Sequence, residues 1–490
     1  MRKLLLTFAC LAFFLSFSAF ADEDPGMAAF RNRDYATAMS LWKAAAGKGD
    51  PRAEASLGVL YANGLGVNRD DAEALRWFRA AANHGDSSGQ YNMGVMCRDG
   101  RATPKDDVEA VRWFKLAAAQ GESNAKINLG AAYRSGHGVD KDPKEAFRWY
   151  MQAAQQGNAV AQGLVGLLYQ KGDGVEHDDK EALRWYRLAA EHGFYDAQYE
   201  LGAMYEAGAG VAKDEQEAVR WYRMAASLGF GRAQNKLGQM YLEGRGVAKS
   251  EAEAAKMFEL AAKQGVAGAQ YNLGRCYAQG WGVIKDDKEA VRWYRLAADQ
   301  SYAAAQNSLG MLLAAGQGVD KDEVEGAHLV RKAADQGDVE AQSNLGAMYA
   351  NGQGVTKDDR ESFRWYQLAA TQGDAEAQNN LGWSFREGVG TERDPAQSVN
   401  WFRRSALQGN AYGQHSLGQL YRLGLGTEKN LVLAYAWLAR AAKGGDPDAG
   451  DERDAVAKLL KPAELTQAKR MEAAWKPGAS MEAAAVKAKK

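Results

Sequence analysis

The sequence predicts an all-α solenoid of stacked helix hairpins, and two observations carry the prediction. A glycine recurs at a fixed interval of 36 residues, from Gly58 and Gly94 to Gly418, without insertion or deletion. Each interval contains two helical apolar patterns separated by a glycine turn. A period of about 20–50 residues is typical of solenoids, in which each unit contacts only its neighbours.

The first helix of a unit is indicated by Ala53, Leu57, Leu60 and Tyr61, whose spacing places them on one face. Gly58 lies inside this helix, where glycine costs about 1 kcal/mol relative to alanine. Its recurrence therefore predicts a steric role: the missing Cβ lets a neighbouring helix approach closely.

The second helix has its own start signal. Asp70 and Glu73 stand three residues apart and predict a capping box, in which each side chain binds a free backbone N–H group. Apolar residues from Ala74 to Ala82 then form the buried stripe. The pair recurs as Asp106/Glu109, Asp142/Glu145, Asp178/Glu181, Asp214/Glu217, Asp286/Glu289, Asp322/Glu325 and Asp358/Glu361.

Charge and the amino terminus limit where the protein acts. The chain has 61 basic and 62 acidic residues, so no overall charge favours nucleic acid. Arg2 and Lys3 precede an apolar run, and Ala19-Phe20-Ala21 follows it, which is typical of a cleaved signal peptide over residues 1–21. We therefore expect export to the periplasm or the outside, with no transmembrane segment after cleavage.

The sequence indicates no catalytic chemistry, metal or cofactor. Gly-x-Gly recurs in ten units without a phosphate-loop lysine, so it predicts a turn. The six histidines have no partner at zinc-ligand spacing, and no nucleophile motif is present. Cys97 and Cys276 stand five repeats apart, too far for a disulfide along a solenoid, and are expected to be buried thiols.

The pattern A-x-x-x-L-G-x-x-Y-x-x-G-x-G-V-x-x-D-x-x-E-A-x-x-W-Y resembles the Sel1-like repeat, a relative of the tetratricopeptide repeat. Residues 198–226 are a near-complete match. The resemblance implies a right-handed superhelix of eleven repeats over residues 52–445, and protein-binding work. Residues 22–51 and 446–477 are predicted to be capping helices, and residues 478–490 a flexible tail.

Variation between repeats locates the predicted binding face. In tetratricopeptide repeats the first helix lines a concave groove, and its positions opposite the buried stripe here hold aromatic, amide and arginine residues, the usual material of binding hot spots. The candidate groove residues are Tyr91, Tyr199, Asn235, Gln239, Tyr271, Arg275, Asn307, Asn379, Trp383 and Arg386. Ordinary solvated surface is the alternative for each.

A second surface and two irregular segments have competing interpretations. An arginine ladder from Arg76 to Arg364 on the second helices could bind anions, but glutamates three residues earlier favour self-neutralised pairs. Repeat 8, with Ser301 in place of the turn glycine, is either a hinge or tolerated drift. Trp281 either lies exposed in its turn or packs on the next helix.

The sequence thus predicts a monomeric, non-enzymatic scaffold whose groove binds a protein or peptide, either host-derived or a periplasmic envelope protein. Two alternatives stay open. Some secreted relatives with cysteine-rich repeats bind or hydrolyse β-lactams, although this chain lacks their paired cysteines. The third interpretation is a glycan-associated or cell-wall-associated envelope component.

Overall fold

The computed structural model describes residues 24–481, and all regular secondary structure in that range is helical. This confirms the predicted fold class of stacked helix hairpins. The predicted signal peptide, residues 1–21, lies outside the described residues, as do residues 482–490 of the predicted tail. No helix of the described part is long and apolar enough to cross a bilayer.

Two helices precede the repeats, α1 (Pro25–Arg31) and α2 (Tyr35–Ala46). The indole of Trp42 covers Gly26, and its Nε1 donates a 2.7 Å hydrogen bond to Asp24. Trp42 is almost fully buried, so α1 covers the apolar face of α2, and α2 in turn packs against the first repeat.

Eleven hairpins follow, each with a first and a second helix. The first helices are α3 (Pro51–Asn63), α5 (Ser87–Asp99), α7 (Ser123–Ser135), α9 (Ala159–Lys171), α11 (Tyr195–Ala207), α13 (Gly231–Glu243), α15 (Ala267–Gln279), α17 (Ala303–Ala315), α19 (Val339–Asn351), α21 (Ala375–Glu387) and α23 (Ala411–Leu423). The second helices are α4 (Asp71–Asn83), α6 (Asp107–Ala119), α8 (Pro143–Gln155), α10 (Asp179–Glu191), α12 (Glu215–Ser227), α14 (Glu251–Lys263), α16 (Asp287–Asp299), α18 (Glu323–Asp335), α20 (Asp359–Thr371), α22 (Pro395–Leu407) and α24 (Leu431–Lys443).

The carboxyl end is closed by α25 (Ala449–Ala457) and α26 (Pro462–Ala474). Trp475 packs edge-on against Trp437 of the last repeat, with ring centroids 5.6 Å apart. Glu472 is buried and forms ion pairs with Arg440 and Lys443. Apolar and charged contacts together therefore hold α26 on the last repeat.

The chain forms two compact units. Within the described residues, the first unit covers residues 24–233 and 244–248, and the second covers residues 234–243 and 249–481. Repeats 1–5 lie in the first unit and repeats 7–11 in the second, while the boundary falls within α13. Each unit contains its own buried clusters of alanine, leucine and aromatic side chains.

Repeat 8 keeps the hairpin despite its altered sequence. Ser301 adopts the left-handed backbone, φ 61°, that glycine has in the other repeats. A Cβ on Gly310 would lie 2.6 Å from the carbonyl oxygen of Gly326, so α17 and α18 approach each other where neither residue has a side chain. Val330, fully buried, takes the place of the usual aromatic ring.

Candidate functional site

The recurrent glycine of the first helix is explained by an aromatic ring. A Cβ on Gly202 would lie 2.8 Å from the ring of Tyr222, and one on Gly166 would lie 2.9 Å from the ring of Tyr186. The ring belongs to the second helix of the same repeat, and it rests directly on the backbone of the first. The predicted close approach is confirmed, and it accounts for both residues structurally.

A buried glutamine, which the sequence analysis missed, joins neighbouring helices. Gln270 donates a 3.3 Å hydrogen bond to the carbonyl of Ala262 on the preceding repeat and accepts a 2.8 Å bond from Gln300 on its own repeat. Gln306, Gln342 and Gln378 make the same pair of bonds with their neighbours. The recurrence of Ala-Gln three residues before the leucine was the available signal.

The predicted capping box is half correct. Asp70 accepts bonds from the backbone N–H groups of Ala72 and Glu73, as an N-cap should. The reciprocal half is wrong, because the N–H of Asp70 donates to the carbonyl of Tyr61 and the Glu73 carboxylate pairs with Arg76. The carbonyl of Tyr61 on the first helix therefore accepts the hydrogen bond from the N–H group that Glu73 was expected to bind.

The arginine ladder is self-neutralised, as the spacing favoured. Each arginine approaches the glutamate three residues earlier, at N···O distances of 2.8–3.5 Å, with its side chain 59–72% exposed. Several guanidinium groups also lie over the tryptophan that follows them, as Arg76 does over Trp77 at 4.6 Å. Such exposed pairs are worth about 0–1 kcal/mol each.

The first-helix face is defined as the fifth, ninth and twelfth residues of each first helix, the positions that stacking was expected to leave free. That expectation is wrong for Tyr91 and Asn307, which are 1% and 2% exposed. The ring of Tyr91 packs 6.0 Å from that of Phe114 on the second helix of its repeat. Asn307 accepts a 3.0 Å hydrogen bond from Asn344 in the next repeat.

Other predicted residues on this face are partly buried in polar contacts with the next repeat. Asn235 accepts a hydrogen bond from Asn272 at 3.0 Å. Asn379 accepts one from Ser416, and Arg386 donates one to Gln419. Gln239 is also partly buried. These amides contribute to the stack, and their predicted binding role stays a prediction.

Trp383 is the most exposed of the predicted aromatic residues. It is 45% exposed on α21, although an indole of this size normally packs. An exposed aromatic ring on this face suits a binding role, which stays a prediction.

Tyr199 is part of an aromatic and arginine cluster within the first unit. We define the Tyr199 cluster as Tyr195, Tyr199, Phe230 and Arg232. Phe230 lies 5.0 Å from Tyr195 and 5.6 Å from Tyr199 between ring centroids, and the Arg232 guanidinium stands 4.4 Å above Tyr199. Tyr195 is 43% exposed, so the cluster reaches the surface.

Two carboxylates border the Tyr199 cluster. Glu200 lies 3.8 Å from Arg232 as an ion pair, and Asp196 lies one turn earlier on α11. Burial raises the pKa of Glu200, and the nearby Arg232 offsets only part of that effect. Burial raises the pKa of Asp196 in the same way. Both carboxylates are therefore poorly solvated and incompletely compensated.

Tyr199 was predicted from the sequence, but the residues around it were not. Tyr195, Phe230 and Arg232 lie at the junctions between repeats, outside the positions compared along the first helix. The available signal was the residue at the repeat junction. In some repeats this position holds a polar residue (Asp86, Asn158, Asp338), and in others it holds an aromatic residue (Phe194, Phe230, Tyr302).

A similar cluster lies in the second unit around Tyr271. The Tyr271 cluster consists of Tyr271, Arg275, Trp281 and Tyr302. Arg275 lies 5.8 Å from the Tyr271 ring and 5.1 Å from the Trp281 ring, while Tyr302 is 5.4 Å from Tyr271. Trp281 is partly buried by these contacts, which favours packing over a free loop position.

The two cysteines are buried free thiols, as expected. Burial raises the pKa of Cys276 to about 11, so its thiol stays protonated and unreactive at neutral pH. Within residues 24–481 no group of three or more His, Cys, Asp or Glu side chains is arranged to hold a metal ion.

Comparison with known proteins identifies the repeat. The Sel1 repeat model matches residues 51–86, 87–122, 123–158, 159–194, 196–230, 231–266, 267–302, 303–338, 339–374, 375–410 and 411–446. A comparison with curated proteins gave no significant match.

Two solved structures show how far the similarity extends. The chain is 35% identical to c5321, a protective antigen present in uropathogenic Escherichia coli strains that displays the same repeat fold, over 89% of this chain and 93% of that one, with a TM-score of 0.78. It is also 33% identical to a Sel1 repeat protein from Oxalobacter formigenes, over 63% of this chain and 89% of that one, with a TM-score of 0.48. The chain belongs to the Sel1 repeat family.

Proposed function

We propose that this protein is an exported, non-enzymatic scaffold that binds another protein or a peptide through the first-helix face and the repeat junctions beside it. Sel1 and tetratricopeptide repeat proteins generally bind other proteins and are generally not enzymes. The observation that carries the proposal for this chain is the Tyr199 cluster.

Stacking explains only part of the Tyr199 cluster, because the ring of Tyr199 packs 5.5 Å from that of Tyr222 on the second helix of its repeat, whereas Tyr195 and Arg232 make no such contact within the described part of the chain. The other contacts that recur between helices come from glycine backbones and from glutamine and aspartate side chains, and none of these residues belongs to the cluster. Next to it, Phe194 occupies an N-cap position and makes no side-chain hydrogen bond, whereas Asp86 and Asn158 cap their helices. An absent cap costs about 1 kcal/mol, and the ring of Phe194 instead packs against Gly163 on α9.

Rings and a guanidinium are suited to protein recognition. Tyrosine and phenylalanine offer large contact areas with few rotatable bonds, and arginine is enriched with them at binding hot spots. Because Arg232 already stacks on Tyr199, the cluster is partly ordered before a partner arrives.

Export is supported by the sequence and by a relative. The amino-terminal pattern is typical of a cleaved signal peptide. The 35% identical Escherichia coli protein is a protective antigen, and a location outside the cytoplasm would make such a protein accessible to antibodies. We expect the mature chain to begin at Asp22. Intact-mass measurement on protein from envelope and culture medium tests this, and a chain retaining Met1 would contradict it.

The binding proposal is tested by comparing bait variants. The full mature chain, a Tyr199→Ala variant and an Arg148→Ala variant are each incubated with envelope extract and with host secretions. Captured proteins are then quantified by mass spectrometry. We expect at least one protein to be captured by the unaltered chain and the Arg148 variant, and to be reduced about tenfold or more with the Tyr199 variant.

Arg148 is a matched control because it lies on the exposed second-helix ladder, paired with Glu145 at 3.0 Å. If the Arg148 change abolishes capture and the Tyr199 change does not, the binding surface lies on the second helices. A capture profile identical for all three baits would contradict the proposal.

A further inference from the structure

The Tyr199 cluster combines open aromatic surface with two partly buried carboxylates. Its rings surround one guanidinium, while two carboxylates, Asp196 and Glu200, border it. Burial raises the pKa of both carboxylates; Arg232 and Lys171 oppose that shift at Glu200, and Arg232 alone opposes it at Asp196. The ion pair between Glu200 and Arg232 is loose, at 3.8 Å, and leaves Asp196 without an equivalent contact of its own in the described structure.

We infer that the Tyr199 cluster binds a peptide segment carrying a lysine or arginine side chain next to an apolar residue. This inference rests on the proposed function and names the chemistry of the partner. The cation would lie against the faces of Tyr195 and Phe230 and pair with the two carboxylates, while the apolar neighbour covers the rings.

The cluster itself shows that its rings accept a cation. Arg232 stands 4.4 Å above Tyr199 and 5.8 Å from Phe230, distances at which a guanidinium is attracted to the ring face. Tyr195 is 43% exposed and its ring contacts are with Phe194 and Phe230. One aromatic surface is thus already used by an internal cation, and a second stays open beside it.

The electrostatics favour a cationic partner over an anionic one. Burial raises the pKa of Asp196 and of Glu200 even though Arg232 acts in the opposite direction on both. A second positive charge would stabilise both carboxylates, whereas a partner carboxylate would add a third negative charge to a partly desolvated site. Arg232 is itself engaged by Tyr199 and Glu200.

The chain contains a comparison site. The Tyr271 cluster also stacks an arginine on tyrosine, but within the described residues Arg275 forms no ion pair with a carboxylate like the one between Arg232 and Glu200. If rings alone were sufficient, both clusters would select the same peptides. The inference assigns the preference for cations to the Tyr199 cluster alone.

The test uses random dodecapeptides displayed on phage and panned on the full mature chain. The enriched peptide is then synthesised together with a copy in which each lysine or arginine is replaced by citrulline, and affinities are measured by isothermal titration calorimetry. Glu200→Gln and Asp196→Asn variants remove charge without changing shape, and Tyr302→Ala serves as the control in the Tyr271 cluster.

We expect enriched peptides to carry lysine or arginine beside an aromatic or aliphatic residue. Citrulline replacement and Glu200→Gln should each weaken binding about tenfold, and Tyr302→Ala should leave it unchanged. If the carboxylate variants do not fold, Tyr195→Ser tests the same surface at an exposed position and should give the same loss.

Three results would overturn the inference. Peptides that require Tyr199 but contain no cation would refute the charge preference while leaving the proposed protein-binding function intact. Equal loss with Tyr302→Ala would show that any ring cluster suffices. Binding of chitotetraose to the Tyr199 cluster in place of peptides would identify a glycan site, and would contradict the proposed function as well.

Discussion

Two glycines of the first unit allow the energetic cost of crowding between repeats to be measured separately from the cost of backbone strain. Gly157 and Gly174 have nearly the same left-handed backbone, φ 85° and 79°. A Cβ on Gly157 would meet nothing within 4 Å. A Cβ on Gly174 would overlap the carbonyl oxygen of Pro143, at the start of the second helix of the preceding repeat.

Alanine at Gly157 should cost only the left-handed conformation, about 1–2 kcal/mol. Alanine at Gly174 should cost the same plus the displacement of the Pro143 carbonyl, about 1–3 kcal/mol more by analogy with overpacked cores. The two substitutions restrict the unfolded chain equally, so this contribution cancels in the comparison. The difference between the variants therefore reports the contact between repeats.

Native-state hydrogen exchange read by mass spectrometry is the suitable assay, because long repeat arrays do not unfold in one two-state step. Exchange in peptides covering residues 143–155 and 159–171 should be about ten- to a hundredfold faster in the Gly174 variant than in the Gly157 variant. Equal acceleration in both variants would refute the argument, since the shared strain would then explain the whole effect.

Three further predictions follow from burial, charge and periodicity. Trp221→Ala, which removes an indole only 8% exposed, should destabilise its repeat by about 3–5 kcal/mol in the same exchange assay. Hydrogen bonds from Arg101 and then Arg69 hold the pKa of Asp71 well below its usual value near 3.9, so that carboxylate stabilises the fold above about pH 4 and loses its effect as the pH falls further. Asp71→Asn should therefore cost about 0.5–1 kcal/mol at pH 7 in the same exchange assay, and a constant difference down to pH 2 would contradict this. Deleting residues 274–309, one full repeat, should leave a helical protein by circular dichroism, whereas deleting half that length should not; equal unfolding by both deletions would contradict nearest-neighbour stacking.

Much of the fold could be predicted from the sequence because the same packing contacts recur from repeat to repeat. Gly202 predicts a close contact, and the ring of Tyr222 provides it. Asp70 predicts a helix start, and it caps one. The predicted reciprocal role of Glu73 was wrong, because the backbone N–H of Asp70 that it was expected to bind already donates to the carbonyl of Tyr61 on the other helix.

The candidate site was less accessible to sequence reasoning. Residues opposite the buried stripe are certain to face solvent only on an isolated helix. A first helix of this fold also packs against its own second helix and against the next repeat. Tyr91 is buried against Phe114 for that reason, although Trp383 on an equivalent face is exposed. The Tyr199 cluster could be recognised only from distances across a repeat junction, and the pattern of a single helix does not contain such distances.

The glutamine that joins neighbouring repeats has a consequence for how such genes change. Gln270 reaches the Ala262 carbonyl behind it and Gln300 beside it, and Gln306 makes the same bonds one repeat later. Unequal recombination between two repeats of the gene would add or remove an in-frame segment and still place a glutamine opposite an alanine carbonyl at the new joint. The order of the variable residues could then change while the contacts between repeats stay the same. Descendants of one gene could therefore carry different recognition surfaces on the same backbone.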